Sequence, residues 1–305
     1  MNYFDYTNLK QFVHDDDLLE LLSIDTSFPV LVDLYLKDDF LEIDTNFKIP
    51  FFAVTRDYAG ACEKKNPQVK WIVKPIKDSQ QLQTEMAMIC YFLDFFTKTV
   101  SAPIILSKIG NILYKASKIV PKAEQLSGAN YTEIVQMREQ LLLDLINRWI
   151  YYDEDRNPNN YMIKYNSRND QIVIAIDFSN VDLLFEGIKI EGTTDKFGWQ
   201  RMEKTRYLTP LKIENFMIYD MTFFNMRFNE FKKIESNFLH EICNVLLSHN
   251  PEREQISLLV ATNIMRRIDY VYNYFDSKFP LHHVKQDGKY KDMGKAFTSI
   301  YDEFK

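Results

Sequence analysis

Asp153-Glu-Asp-Arg-Asn-Pro-Asn-Asn-Tyr-Met-Ile163, followed by the apolar run Gln171-Ile-Val-Ile-Ala-Ile-Asp-Phe178, is the stretch that organises the rest of the chain. Asp155 and Asn160 stand five residues apart on a polar loop between a helical pattern and a strand. Asp177 closes a second strand after a short turn at residues 166–170. Phosphoryl transfer asks for this arrangement. One carboxylate receives or orients the attacking hydroxyl, an amide five residues on reaches a metal, and a later carboxylate bridges metal to phosphate.

Asp-x-x-x-x-Asn alone is a weak signal, because both residues are turn-prone and Asn157-Pro158 is an ordinary turn dipeptide. Its surroundings strengthen it. Ile134, Met137, Leu141, Leu142, Leu145, Ile146 and Trp149 lead in at helical spacing, and a β-hairpin leads out onto Asp177-Phe178. Together they predict a kinase-type nucleotide site.

At 305 residues the chain is long enough for two packed lobes, and 46% apolar with 26% charged residues suits a soluble globular protein. There is no uncharged apolar run of the length (about 18 residues) that a membrane span needs. Residues 1–10 are polar and lack a basic-then-apolar leader. Cys62, Cys90 and Cys243 show neither pair nor metal spacing, which points to a reducing cytoplasm. A net charge of −6 argues against general nucleic-acid binding.

A short amphipathic helix is expected around residues 15–22, then strands over residues 29–36, 40–45, 49–55 and 69–76. Between the last two lies Arg56-Asp-Tyr-Ala-Gly-Ala-Cys-Glu-Lys-Lys-Asn66, which reads as a loop. There Gly60 between two alanines would let backbone N–H groups approach a phosphate, or would simply turn a hairpin. Strand alternation places Lys70, Ile72 and Lys74 on one face, where a lysine either snorkels or meets an anion.

A helix follows from residue 78 or 79 to 96 with Leu82, Met86, Ile89, Leu93 and Phe96 as its buried stripe. Glu85 beside that stripe could hold Lys74, or face solvent. Two more strands are expected over 102–106 and 112–120, then a polar connection over 122–130, against which an adenine would lie. The tail reads as helices over 212–220, from 225 or 228 to 248, and over 252–275. Arg266-Arg267 reads as a charged edge, and His282-His283 lacks partners at metal-ligand spacing.

These pieces resemble the HipA-like serine/threonine kinases. Ala59-Gly-Ala-Cys-Glu-Lys64 looks like that family's Gly-x-Gln-x-Lys phosphate loop, with Cys62 where the family has Gln. Ile72-Val-Lys-Pro75 looks like its lysine strand, Thr84-Glu-Met-Ala87 like the start of its glutamate helix, and Asp155, Asn160 and Asp177 like its catalytic and metal residues. The resemblance implies ATP and Mg²⁺. Lys74 would bind phosphates, Glu85 would orient it, Asp155 would be the catalytic base, and Asn160 with Asp177 would hold the metal. The family's members act on protein and meet an antitoxin-like protein partner. The first 50 residues here do not match the subdomain that meets it, so the acceptor stays protein or small molecule and the partner's identity is not carried over.

The expected fold is α+β and two-lobed, kinase-like, with a β-rich N-lobe over residues 1–121 and a mainly helical C-lobe over 122–305. Three activities stay open on this scaffold: a protein kinase, a small-molecule or lipid-type kinase or nucleotidyl transferase, and a pseudokinase interaction module.

Overall fold

The computed structural model describes residues 33–37, 58–121, 123–129, 133, 136–153, 158–165, 171–186, 219–247, 250–279 and 281. The alternating residues of Lys70–Pro75 form strand β3. Trp71 and Val73 are buried on one face, while Ile72 and Lys74 are half-buried on the other. β3 pairs antiparallel with β2 (Ala59–Glu63) on one side and β5 (Ile112–Lys118) on the other. β1 (Leu34–Leu36) and β4 (Ile104–Ile109) complete a five-stranded antiparallel sheet in the order β1-β2-β3-β5-β4. The sheet curls so that β1 approaches β4. Between β4 and β5 the chain reverses in two residues, and Gly110 takes the φ of +61° that this turn requires.

A second sheet holds β6 (Ala123–Gln125), β7 (Tyr161–Tyr165) and β8 (Gln171–Ala175), all antiparallel. Five helices accompany the sheets among the described residues: α1 (Gln81–Phe96), α2 (Arg138–Ile150), α3 (Met221–Phe231), α4 (Ser236–Leu246) and α5 (Arg253–Lys278). The fold is therefore α+β, as the strand-then-helix pattern predicts. None of these helices is long and apolar enough to cross a membrane.

α1 is the central element. Every residue from Thr84 to Phe96 is buried, so the expected single stripe is instead a helix covered on all sides. Ala87, Met88, Cys90, Tyr91, Phe92 and Phe95 supply apolar surface beyond that stripe, and a helix that is apolar all round belongs inside. The backbone N–H of Leu106 in β4 donates to Met88 Sδ at 3.2 Å, and Phe96 meets Phe238 of α4 edge-to-face at 5.0 Å. One continuous apolar core runs from Trp71 through α1 to Trp149, Phe224 and Phe275.

Several local expectations change. Residues 59–63 form a strand rather than a loop, because their backbone joins ladders with both β1 and β3; Lys37 N–H also donates to the Gly60 carbonyl. Residues 123–125 of the polar connection form β6 against β7. The single helix expected up to residue 248 is two, α3 and α4, parted at residues 232–235 without Gly or Pro. Cys62, Cys90 and Cys243 are buried free thiols. The helix expected at 15–22, the strands at 40–45 and 49–55, the helix at 212–218 and the His282-His283 pair lie outside the described residues.

An ionic cluster joins α1 to α2. Arg148, Asp94 and Asp144 are buried at 0%, 0% and 4% exposure. Arg148 Nη2 donates to Asp94 Oδ2 and, at 2.7 Å, to Asp144 Oδ1; its Nε donates to the same Asp144 oxygen at 3.0 Å. Two carboxylates against one guanidinium leave an excess of negative charge, which neutral donors meet. Tyr161 O–H donates to Asp144 Oδ2 at 2.6 Å, while Tyr151 O–H and Asn147 Nδ2 each donate to Asp94 Oδ1 at 2.8 Å. Burial alone would lower the Arg148 pKa, but Asp144 and Asp94 outweigh it and hold the pKa well above the ordinary value. Burial, with Asp94 beside it, pushes the Tyr151 phenol well up and keeps it a proton donor.

Removing the cation strands two buried carboxylates. Arg148→Ala should cost about 3–5 kcal/mol in urea denaturation. Arg148→Lys should recover little, since an ammonium cannot make the forked contacts to both aspartates. Full recovery by Lys would show that charge alone matters there.

Candidate functional site

The β7–β8 hairpin brings Asn160 and Asp177 together. Tyr161 stands opposite Ala175, and Ile176 N–H donates to the Asn160 carbonyl at 2.9 Å, so Asn160 faces the residue beside Asp177. Asn160 is buried at the end of a 3₁₀ turn, Pro158–Asn160. β8 ends at Ala175, short of the expected Phe178, where its edge bonds to the segment leading into β4: Ala175 N–H to Val100 carbonyl and Ala102 N–H to Ala175 carbonyl.

The chain then takes a left-handed step at Asp177, φ 57°, which a short polar side chain tolerates better than most. The Asp177 side chain is 46% exposed. Its Oδ1 accepts from Ser179 N–H at 3.0 Å, from Ser179 O–H, and from Lys115 Nζ at 3.0 Å. Lys115 Nζ also donates to Ser179 Oγ at 2.6 Å.

Lys115 lies on β5 directly across from Lys74 on β3, so both ammonium stems leave the same sheet face. Lys74 Nζ sits 5.4 Å from the centre of the Tyr58 ring. Among the described residues no ion pair joins Lys74 to Glu85, so the contact expected between them is not made, and Glu85 does not face solvent either. Glu85 is fully buried within α1, where its Oε1 accepts from Gln81 Nε2 at 2.9 Å. Strand alternation sends Lys74 out with Ile72 and Lys115, opposite to the buried Trp71–Val73 face. Gly60 opposes Ile72 in the β2–β3 ladder, next to this lysine face but within a strand.

Asp155 lies outside the described residues, while the described residues on either side of it are held by hydrogen bonds. On one side Asp153, buried, bridges to Val181; on the other Asn160 is bonded to Ile176. The segment after Asp177 is gripped by helices. Gln83 Nε2 of α1 donates to the carbonyls of Ser179 and Val181 at 3.0 and 2.9 Å. Asn263 Nδ2 of α5 donates to the Leu183 carbonyl at 3.0 Å. Arg267 Nη2 donates to the Phe185 carbonyl and Nη1 to the Ile150 carbonyl at 3.2 Å. Arg267 is therefore buried, a correction to the charged edge; the edge is Arg266 alone, which is exposed. Burial pushes the Arg267 pKa down to about 10, which still leaves it charged at neutral pH.

Lys115, Ser179, Gln83 and Arg267 were not singled out from sequence as site residues. Lys115 carries the same signal as Lys74, a lysine at a half-buried strand position, in Tyr114-Lys-Ala-Ser-Lys118. Gln83 has none, since it binds carbonyls that any residue would offer. Gln83→Ala should cost about 1–2 kcal/mol for the two lost bonds. Amide hydrogen exchange should speed up selectively at residues 179–182; unchanged exchange there would show that Gln83 does not hold the segment.

No family model and no curated protein matches the sequence. Among solved structures, a kinase of Helicobacter pylori described as proinflammatory, CtkA, is similar with a TM-score of 0.45 and 9% identity, covering 72% of this chain and 94% of that one. HipA of Shewanella oneidensis, solved with HipB and operator DNA, is similar with a TM-score of 0.39 and 10% identity, covering 92% of this chain and 74% of that one. Both scores fall below 0.5, and the site rests on its own residues.

Proposed function

We propose that the chain is an ATP- and Mg²⁺-dependent phosphotransferase of two-lobed, kinase-like build, acting as a HipA-like protein serine/threonine kinase. One observation carries the reading: Lys74 and Lys115 stand side by side on one sheet face, and the Lys115 ammonium rests on Asp177, itself beside Asn160 at the hairpin end. Cations suited to a phosphate chain thus adjoin oxygens suited to a hard metal. The donor set fits Mg²⁺, which takes few protein oxygens and shares itself with phosphates. Asp177 is already in contact with a cation, and the Asn160 backbone is bonded to Ile176, the residue before Asp177.

In this reading the two lobes meet near residue 121, where Ala102, Val120, Ala123 and Ile174 form a small apolar cluster flanked by Met162 and Ile176. That patch gives an adenine an apolar bed one residue from Asp177. Lys74 draws the phosphates to the sheet face, with Gly60 beside it. Bound Mg²⁺ would neutralise charge on the phosphates. Asp155, on the loop pinned at Asp153 and Asn160, aligns or deprotonates the acceptor hydroxyl. A protein acceptor and an antitoxin-like partner belong to the same proposal.

Asp155→Asn should cut transfer from labelled ATP by about 10²–10⁴-fold. ATP affinity should stay within a few-fold, because that carboxylate acts chiefly in the transition state. Asp177→Ala should abolish the extra thermal stabilisation that ATP gains from added Mg²⁺. Label moving to a small molecule, or AMP appearing on the acceptor, would redirect the reading to a metabolite kinase or a nucleotidyl transferase. ATP binding without transfer in the wild type would indicate an interaction module. Wild-type turnover by Asp155→Asn would overturn the base assignment.

A further inference from the structure

We infer that Lys115 is a second phosphate-binding lysine, which sits on Asp177 as a stand-in cation and is exchanged for metal when a nucleotide arrives. This rests on the phosphotransferase reading and adds a residue and a coupling to it. The first ground is electrostatic. Lys74 and Lys115 are direct cross-strand partners on one face, and like charges so placed repel. The sequence nevertheless sets two ammonium groups there, with Asp177 as the counter-charge to Lys115 among the described residues and the Tyr58 ring beside Lys74. A chain of phosphates, with several negative charges, is the ligand that satisfies both cations at once.

The second ground is competition for one oxygen. Lys115 Nζ lies 3.0 Å from Asp177 Oδ1. A divalent metal on that carboxylate would approach to about 2.0–2.1 Å and would repel an ammonium at the same atom. Lys115 must then leave Oδ1. Its four-carbon stem lets the ammonium swing without moving the strand, and its side chain is only 17% exposed, so its new acceptor must lie close by. A phosphate oxygen held by Lys74 is such an acceptor. Ser179 Oγ, at 2.6 Å from Nζ, stays within reach of both positions and gives the ammonium a partner during the exchange. Nucleotide and metal should therefore bind with positive coupling: phosphates draw Lys115 off Asp177, and metal on Asp177 frees Lys115 for phosphates.

The test is calorimetric titration of the full chain with ATP in EDTA, with Mn²⁺ alone, and with both. Lys115→Met removes the charge and keeps the stem. It should weaken metal-free ATP binding by about tenfold or more, the effect expected for one charge-assisted bond, and tighten binding of Mn²⁺ alone several-fold. Lys115→Arg should keep ATP affinity within a few-fold. Lys115→Gln repeats the measurement should the Met variant fail to fold. Lower affinity for both ATP and Mn²⁺, or unchanged affinity for either, overturns the inference by showing a structural lysine. Failure of the wild type to bind ATP, with or without metal, defeats the phosphotransferase reading instead. Wild-type binding with an indifferent Lys115 variant defeats the exchange alone.

Discussion

The buried charge of Arg148 is the constraint on which the remaining geometry depends. It joins Asp94 near the end of α1 to Asp144 of α2, and Asp144 in turn takes the Tyr161 hydroxyl. Its guanidinium also lies 4.7 Å from the Phe178 ring centre. Tyr161 follows Asn160 directly, and Phe178 follows Asp177. Each candidate metal ligand is thus one residue from a side chain anchored on the cluster. Buried ion pairs add little net stability compared with well-packed apolar residues, so the gain here lies in position. Two ends of a hairpin are held against two helices at a spacing that apolar packing alone would fix less sharply.

The segment after Asp177 is held by a different device. Gln83 from α1, and Asn263 and Arg267 from α5, donate to backbone carbonyls between residues 179 and 185. The donors of the two helices lie about 180 residues apart in sequence and meet at one stretch, so α1 and α5 share control of the same few residues. A shift of α1 would be felt at Ser179, which bonds both Asp177 and Lys115.

What could be read from sequence followed period and local chemistry. β3, α1, α2, the β7–β8 hairpin and the closeness of Asn160 to Asp177 all follow from patterns within some twenty residues. What escaped reading is non-local. Gly60 looked like loop material until its neighbours on two ladders were known. β6 is three residues long and exists because β7 offers it an edge. Arg266 and Arg267 are equivalent by composition, and only the docking of α5 decides which one is buried. The break between α3 and α4 carries no Gly or Pro, so a helical period reads straight through it. Lys115 was legible by the logic applied to Lys74, but its partner is 62 residues away.

α1 and α2 also stop in the same manner. After α1, Lys98 takes φ 54°, its N–H bonds the Phe95 carbonyl, and Thr99 N–H bonds the Asp94 carbonyl. After α2, Tyr152 takes φ 54°, its N–H bonds the Trp149 carbonyl, and Asp153 N–H bonds the Arg148 carbonyl. Both are Schellman ends, which usually place Gly at the left-handed position. With only 8 glycines in the chain, Lys and Tyr stand there instead, at a cost of about 1–2 kcal/mol each. Tyr152 offsets that cost through its ring, 4.4 Å from Phe185 and under the Arg267 guanidinium. The residues whose carbonyls close these two ends, Asp94 and Arg148, are the same two whose side chains form the buried ion pair. Helix termination and the ionic cluster thus share two residues, each closing a helix end through its backbone and joining the cluster through its side chain.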